Sequence, residues 1–263
     1  MRNFLVKIDK KYFFSFFSNF YKSFSLNITT KILNKSYDNR STYYYNSKKK
    51  NPISELCFKH GSDKGYIDFK IDTPYFWKPR NYSEFYFKTF HHCREHVKLV
   101  FECGLGTNNI NIPSNMTSGG KPGASLKVWR DYFINAEIIG ADVDKDILFN
   151  SDRIQTFEVD QTNEASIKNM WNKINLKNFD LIIDDGLHNY EAGVTLFKNS
   201  FDRLKKDGIY IIEDVTYSDM IKYKQYFTQL KHIYEARFVF LTSPLKVFGI
   251  DNNLICITKN EVQ

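Results

Sequence analysis

From Val97 onward, short apolar runs alternate with stretches in which apolar residues recur every three or four positions. That alternation predicts a mostly parallel sheet covered by helices on both faces. The runs at 98–103, 137–142, 154–159, 180–184 and 209–213 read as strands, and the stretches at 122–134, 164–174, 190–206 and 218–230 as the helices between them. Pro122 suits the first position of the first helix, and Gly208 marks where the long helix after the fourth strand stops. Beyond Leu230 the pattern changes. Phe238 to Leu241 and Leu254 to Thr258 follow with no long helix between them, which predicts an antiparallel hairpin at one sheet edge. The expected fold class is α/β, a Rossmann-like doubly wound sheet.

Upstream, Phe13, Phe17, Phe20 and Phe24 recur at steps of four, three and four, one face of a helix, with Lys7, Lys10, Lys11 and Lys22 nearby. Such a segment suits either the surface of an anionic membrane or docking on the domain or a partner subunit. Polar residues interrupt the run before it reaches the ~18–20 apolar residues of a membrane span, and no small-residue cleavage site follows it. Residues 27–50 show no sustained periodicity and read as a polar, basic linker. The chain therefore divides into a basic aromatic tail over residues 1–50 and one domain over 51–263 that begins near Pro52.

The formal net charge of +7 changes meaning once it is divided along the chain. Residues 1–50 hold 11 Lys+Arg against 2 Asp+Glu, which leaves 26 against 28 in residues 51–263. A nucleic-acid reader carries its basic footprint on the folded domain, so this body is not expected to bind nucleic acid. Cys57, Cys93, Cys103 and Cys256 are widely spaced, form no C-x-x-C pair and read as reduced thiols, which favours the cytoplasm. Contact with the inner face of the membrane, or with a second subunit, would fall to the tail.

The candidate chemistry lies at the strand ends. The first strand closes in Glu102-Cys103-Gly104-Leu105-Gly106, a glycine turn that lets backbone approach a ligand. Asn109 stands where a dinucleotide fingerprint would place its third glycine, and the acid Glu102 precedes the turn. Both disfavour a nicotinamide cofactor and suit a ligand with an ammonium group and no pyrophosphate, such as S-adenosylmethionine. Asp142 ends the second strand, where a carboxylate takes ribose hydroxyls, and Asp160 and Gln161 follow the third, placed to meet an adenine edge. The loop from Gly106 to Gly120 is far longer than an ordinary strand-to-helix turn and is expected to touch cofactor or substrate. Asp185 after the fourth strand and Glu213 and Asp214 after the fifth form an oxygen-only set for a hard cation such as Mg²⁺. His188, three residues past Asp185, is the candidate general base.

The stretches His60 to Gly65, Gly123 to Phe133, Val159 to Thr162, Ile183 to His188 and Ile212 to Asp214 together resemble class I S-adenosylmethionine-dependent methyltransferases. The similarity is specifically to the sugar O-methyltransferases of antibiotic pathways (mycinamicin type), and it covers residues 54–260 approximately. It implies a seven-stranded sheet, Mg²⁺ on Asp185, Glu213 and Asp214, catalytic roles for His188 and Asp185, and Ser125 and Asp184 among the cofactor-binding residues. Leu187 replaces the serine usual in that family, and the Asn-rich loop from Thr107 to Ser118 also departs from it. The insert Pro113 to Met116 and the tail resemble methyltransferases of bacterial capsule loci, including those proposed to act on a phosphoramidate.

The expected function is transfer of a methyl group from S-adenosylmethionine to oxygen on a carbohydrate or on a capsule-linked phosphoramidate. A sugar hydroxyl needs His188 or a metal to shed its proton, whereas a phosphoramidate oxygen is already anionic and needs mainly positioning, with Lys64, Lys121 and Arg130 as candidate holders. The competing readings are a nicotinamide-dependent oxidoreductase and a non-catalytic scaffold of a membrane-associated biosynthetic complex.

Overall fold

The computed structural model describes residues 40–44, 50–65, 80–242 and 251–260. The aromatic run from Phe13 to Phe24 lies outside the described residues. Ser41–Gln263 forms one compact unit, which holds the sheet.

Its strands are β1 (Arg40–Tyr44), β2 (Leu99–Cys103), β3 (Glu137–Asp142), β4 (Ile154–Glu158), β5 (Phe179–Asp184), β6 (Leu204–Ile212), β7 (Tyr234–Thr242) and β8 (Asn253–Lys259). They pair in the order β1-β7-β8-β6-β5-β2-β3-β4. β2 to β6 run parallel, and β8 lies antiparallel to both β6 and β7. The seven expected strands and the C-terminal hairpin are present, and the hairpin inserts its second strand between β6 and β7. An eighth strand comes from within the stretch read as linker, where Thr42, Tyr43 and Tyr44 supply the β-branched and aromatic residues that strands favour.

The helices are α1 (Pro52–His60), α2 (Tyr82–Phe90), α3 (Ala124–Tyr132), α4 (Glu164–Ile174), α5 (Tyr190–Ser200) and α6 (Tyr217–Gln229). Asn51 caps α1 in a capping box with Ser54, and Pro52 occupies its first turn. Two expectations at helix ends are corrected. Gly123, with φ of 70°, is the N-cap of α3, so Pro122 stands outside the helix. Helix α5 ends at Ser200, one 3₁₀ turn follows at Phe201–Arg203, and Gly208 lies inside β6. The β5–β6 register shifts between Phe179 and Leu181, and a Cβ on Gly208 would come within 2.7 Å of the Phe179 carbonyl oxygen. That glycine serves a bulge and not a helix stop.

All six residues of β5 are buried, as are four of five in β2, the near-continuous apolar pattern of strands covered on both faces. Parallel register decides what reaches the carboxyl edge. Cys103 pairs with Ala141 and Asp184, Asp184 pairs with Ile212, and Asp142 pairs with Glu158. The residues just beyond these positions therefore emerge side by side.

Candidate active site

A cavity of about 440 Å³ opens at that edge. One wall comes from the turns after β2, β3 and β4. Gly104 and Gly106 have φ of 96° and 78°, and a Cβ on Gly104 would lie 2.0 Å from the Asp185 carbonyl oxygen. Only glycine fits that crossing. Asp142 is 7% exposed and accepts the backbone N–H of Leu105 at 2.7 Å and of Asp144 at 2.9 Å, while burial raises its pKa. Asp160, Gln161 and Thr162 continue the wall, with Val143 and Val159 as apolar faces. The long loop forms the opposite lip through Ile112, Pro113, Ser114, Asn115 and Met116, and the Ser114 hydroxyl donates to the Leu187 carbonyl at 3.1 Å.

Three residues expected to bind the cofactor, Glu102, Ser125 and Asp184, lie behind this wall and do not line the cavity. Glu102 is fully buried, accepts the Trp129 indole N–H at 2.6 Å, and sits 3.3 Å from the Lys64 ammonium. Ser125 hydrogen-bonds the same carboxylate. The cation facing Glu102 thus belongs to the protein. Asp184 is likewise beneath the surface, accepting the Gln161 amide at 2.6 Å, and burial pushes its pKa up to about 6. Gln161 in turn accepts the Leu187 N–H at 2.9 Å, so it fixes the β5 turn while facing the cavity.

The acids after β5 and β6 converge, each with a distinct partner. Lys64, 3% exposed, donates to Asp185 at 2.7 Å and to Glu213. Desolvation opposes its charge, but the surrounding carboxylates hold its pKa well above the usual lysine value. Glu213 also accepts the Tyr86 hydroxyl, and burial raises its pKa strongly. Asp214, with φ of 52°, accepts the Tyr82 hydroxyl and the Arg80 guanidinium at 3.0 Å. Arg80 is held on its other side by both Asp251 oxygens, at 2.7 and 2.9 Å.

His188, also at positive φ (57°), stands 3.3 Å from Asp185 through Nε2 and 3.7 Å from Asp214 through Nδ1. Burial alone would lower its pKa, but Asp214 and Asp185 outweigh that and push it up to about 9. Donor atoms of Asp185, His188 and Asp214 lie within 4.8 Å of one another, a set able to hold a divalent cation. Of the expected oxygen-only set, Asp185 and Asp214 fall in this cluster together with His188, while Glu213 turns to Lys64 and Tyr86. Lys121 and Arg130 do not line the cavity, and Arg130 pairs with Asp131 at 2.8 Å.

Arg80, Tyr82, Tyr86 and Asp251 escaped the sequence reading. For Tyr82 and Tyr86 a signal was present. They stand four apart in a Phe-rich run, one face of helix α2, and so reach successive acids.

The chain matches no family model. It is 29% identical over 163 residues to the 8-demethyl-8-alpha-L-rhamnosyl tetracenomycin-C 2'-O-methyltransferase of Streptomyces olivaceus, covering 62% of this chain and 37% of that one. It is 26% identical over 159 residues to the mycinamicin VI 2''-O-methyltransferase of Micromonospora griseorubida, covering 60% and 37%. The aligned stretch thus spans less than two fifths of either relative. The structure superposes on the MycE methyltransferase of the mycinamycin biosynthetic pathway, solved with Mg, SAH and mycinamycin VI, with a TM-score of 0.56 and 20% identity over 82% of this chain and 57% of that one. The fold is the Rossmann-like methyltransferase fold. The chain's sequence is similar to sugar O-methyltransferases, and its strand order brings the turns after β2, β3 and β5 to one edge of the sheet. Among the described residues no helix is long and apolar enough to cross a membrane.

Proposed function

We propose that the protein is an S-adenosylmethionine-dependent O-methyltransferase acting on a carbohydrate hydroxyl. The observation that carries this reading is the single cavity joining a nucleoside-compatible wall, Gly104 to Thr162, to the acid and histidine cluster of Asp185, His188 and Asp214. When bound, S-adenosylmethionine supplies an activated methyl group. Asp142 is placed for its ribose, and Val143, Val159 and Gln161 for its base. Asp185 and Asp214 hold the His188 ring between them, so that it can take the proton an acceptor hydroxyl loses as it attacks. Asp185 and Asp214 would also hold a divalent cation such as Mg²⁺, whose chemistry is to polarise an acceptor oxygen. Restricting two reactants to one orientation in this cavity contributes up to ~7–11 kcal/mol.

The lining favours a hydroxyl over an anionic phosphoramidate. Asp63, Asp142, Asp160, Asp185, Glu213, Asp214 and Asp251 place seven carboxyl groups around the cavity, against Lys64, Arg80 and His188. Lys64 and Arg80 are already engaged by carboxylates. Among the described residues that line the cavity, an anionic acceptor would add like charge without a spare cation to meet it. A role in capsule assembly rests on the insert and the tail, of which residues 1–39 and 45–49 are outside the described residues.

Calorimetry with S-adenosylhomocysteine and with NAD, followed by methyl transfer to neutral glycosides and to a phosphoramidate, tests this. Micromolar binding of the sulfur nucleoside alone and transfer to a glycoside are expected, with His188→Ala reducing turnover by roughly 10²–10⁴-fold. Binding of NAD alone would restore the oxidoreductase reading, and binding of neither the scaffold reading. Equal turnover of His188→Ala would remove the base.

A further inference from the structure

Both acids suited to a divalent ion already carry a cation of the protein, and the two cations are held in different ways. Asp185 Oδ2 accepts from the Lys64 ammonium at 2.7 Å. Lys64 is buried and is fixed by two further carboxylates, Glu102 and Glu213. Asp214 Oδ2 accepts from Arg80 Nη2 at 3.0 Å, and this is the same oxygen that faces His188 Nδ1 at 3.7 Å. The guanidinium therefore stands on the oxygen that Asp214 turns toward the cluster, and its positive charge opposes a second cation there.

Arg80 has a stronger partner elsewhere. Its Nη1 and Nη2 donate to Asp251 Oδ1 and Oδ2 at 2.7 and 2.9 Å, the two parallel bonds of a forked arginine–carboxylate pair, whereas Asp214 receives one bond. Nη2 is thus shared between two acids. The side chains of Arg80 and Asp251 are 18% and 34% exposed, so this pair is less confined than Lys64. The frame that carries it is tied independently of the pair. Asn81 and Asn252, the chain neighbours of Arg80 and Asp251, are both buried and are joined by a 2.7 Å bond from Asn252 Nδ2 to Asn81 Oδ1. Asn253 Nδ2 donates to the Val215 carbonyl at 2.8 Å, and Asp214 keeps the Tyr82 hydroxyl on its other oxygen. Breaking the one Arg80–Asp214 bond leaves these ties in place.

We propose that Asp251 is a positioning residue that acts through Arg80. By holding the guanidinium in a fork it weakens the grip of Arg80 on Asp214, and so raises the affinity of Asp185 and Asp214 for a divalent ion. Three signs follow. Removing the Arg80 charge tightens ion binding, removing the Asp251 charge weakens it, and removing Asp251 once Arg80 is gone changes little. A residue that served only to hold the fold together would loosen binding in every case.

Mn²⁺ binding by the full chain at one fixed pH, followed by the electron paramagnetic resonance signal of the unbound ion, tests this without cofactor or acceptor; Mn²⁺ accepts the same oxygen ligands as Mg²⁺. The inference rests on the divalent site proposed above, and S-adenosylhomocysteine calorimetry on the same samples reads the methyltransferase assignment separately. Asp251→Asn should weaken Mn²⁺ binding at least about fivefold and Arg80→Met should tighten it by a similar factor, the lower end of ordinary coupling between sites. Asp251→Asn should lose most of its effect when added to Arg80→Met, because the coupling runs through the removed group. Thermal unfolding checks that each variant is folded, and Arg80→Gln replaces Arg80→Met where the latter is not. An unchanged or tighter affinity in Asp251→Asn overturns the proposal. Equal losses from Asp251→Asn with and without Arg80 overturn it too, since Asp251 then acts by its own field. So does a parent protein with no saturable Mn²⁺ binding, and retained S-adenosylhomocysteine binding would show that the methyltransferase assignment survives that result.

Discussion

Replacing Lys64 by Met isolates the least expected feature of the site. The ammonium is 3% exposed and serves Glu102, Asp185 and Glu213, two of which are at most 1% exposed. Methionine keeps the length of the stem and removes the charge. Removing one partner of a buried ionic pair costs ~3–5 kcal/mol, because the carboxylates stay behind without a counter-charge. At ~2–4 °C per kcal/mol for a domain of this size, Tm should fall by roughly 6–20 °C at pH 8. The sign of the pH dependence follows from the acids. Burial already raises the Glu102 and Glu213 pKa values, and Lys64 is what opposes that rise. Without it their folded pKa values climb further above the unfolded ~4.3, so the loss of stability is small near pH 4–5 and grows as pH rises. Adding Glu213→Gln should recover part of the loss at pH 8. Thermal unfolding by circular dichroism between pH 5 and 8 measures this. A Tm within 2 °C of the parent across the range, or a deficit that widens toward acid, would refute the argument.

Two further outcomes follow from the geometry. Because Asp214 and Asp185 hold the His188 pKa at about 9, only about one ring in a hundred is neutral at pH 7 in protein stripped of divalent ions. Turnover should therefore rise nearly tenfold per pH unit from 7 to 8 and level off above about 9, and Mg²⁺ should move this limb to lower pH by pairing with the two acids. A stopped methyl-transfer assay over pH 6–10 checks it, and a limb that ignores Mg²⁺ would sink the proposed coupling. Gly104→Ala places a Cβ 2.0 Å from the Asp185 carbonyl oxygen at a φ of 96°, so it should weaken S-adenosylhomocysteine binding at least about tenfold by calorimetry. Unchanged affinity would mean that the β2 turn does not face the ligand.

The strand ends were legible because they obey a simple rule. Residues that follow parallel strands collect at one edge, and register makes Asp142, Asp160, Asp185 and Asp214 neighbours whatever the helices between them do. Helix ends were less legible. Gly208 looked like a stop signal because glycine serves both helix termini and bulges, and only the β5–β6 register separates the two. The strand β1 was hidden for a related reason. Five residues at a sheet edge need little apolar pattern, and Arg40, Ser41 and Thr42 resemble the polar linker around them.

The partners of the strand-end acids obey no such rule. Lys64, Arg80, Tyr82 and Tyr86 come from the segment that precedes β2, and it is the packing of that segment over the sheet edge that carries them 121 to 149 residues along the chain to their acids. Their arrival changes what each acid can do. Glu102, at the end of β2, pairs with Lys64 and Trp129, so it cannot greet an incoming ammonium. Glu213 points away from Asp214 because Lys64 and Tyr86 take both of its oxygens, while Asp214, turned by its positive φ, faces His188. Adjacent acids on one strand end thus acquire different assignments, one as the counter-ion of a buried lysine and one as the partner of His188. Position along the sheet edge decides which carboxylates meet, and the helices laid over that edge decide which of them remain available to a ligand.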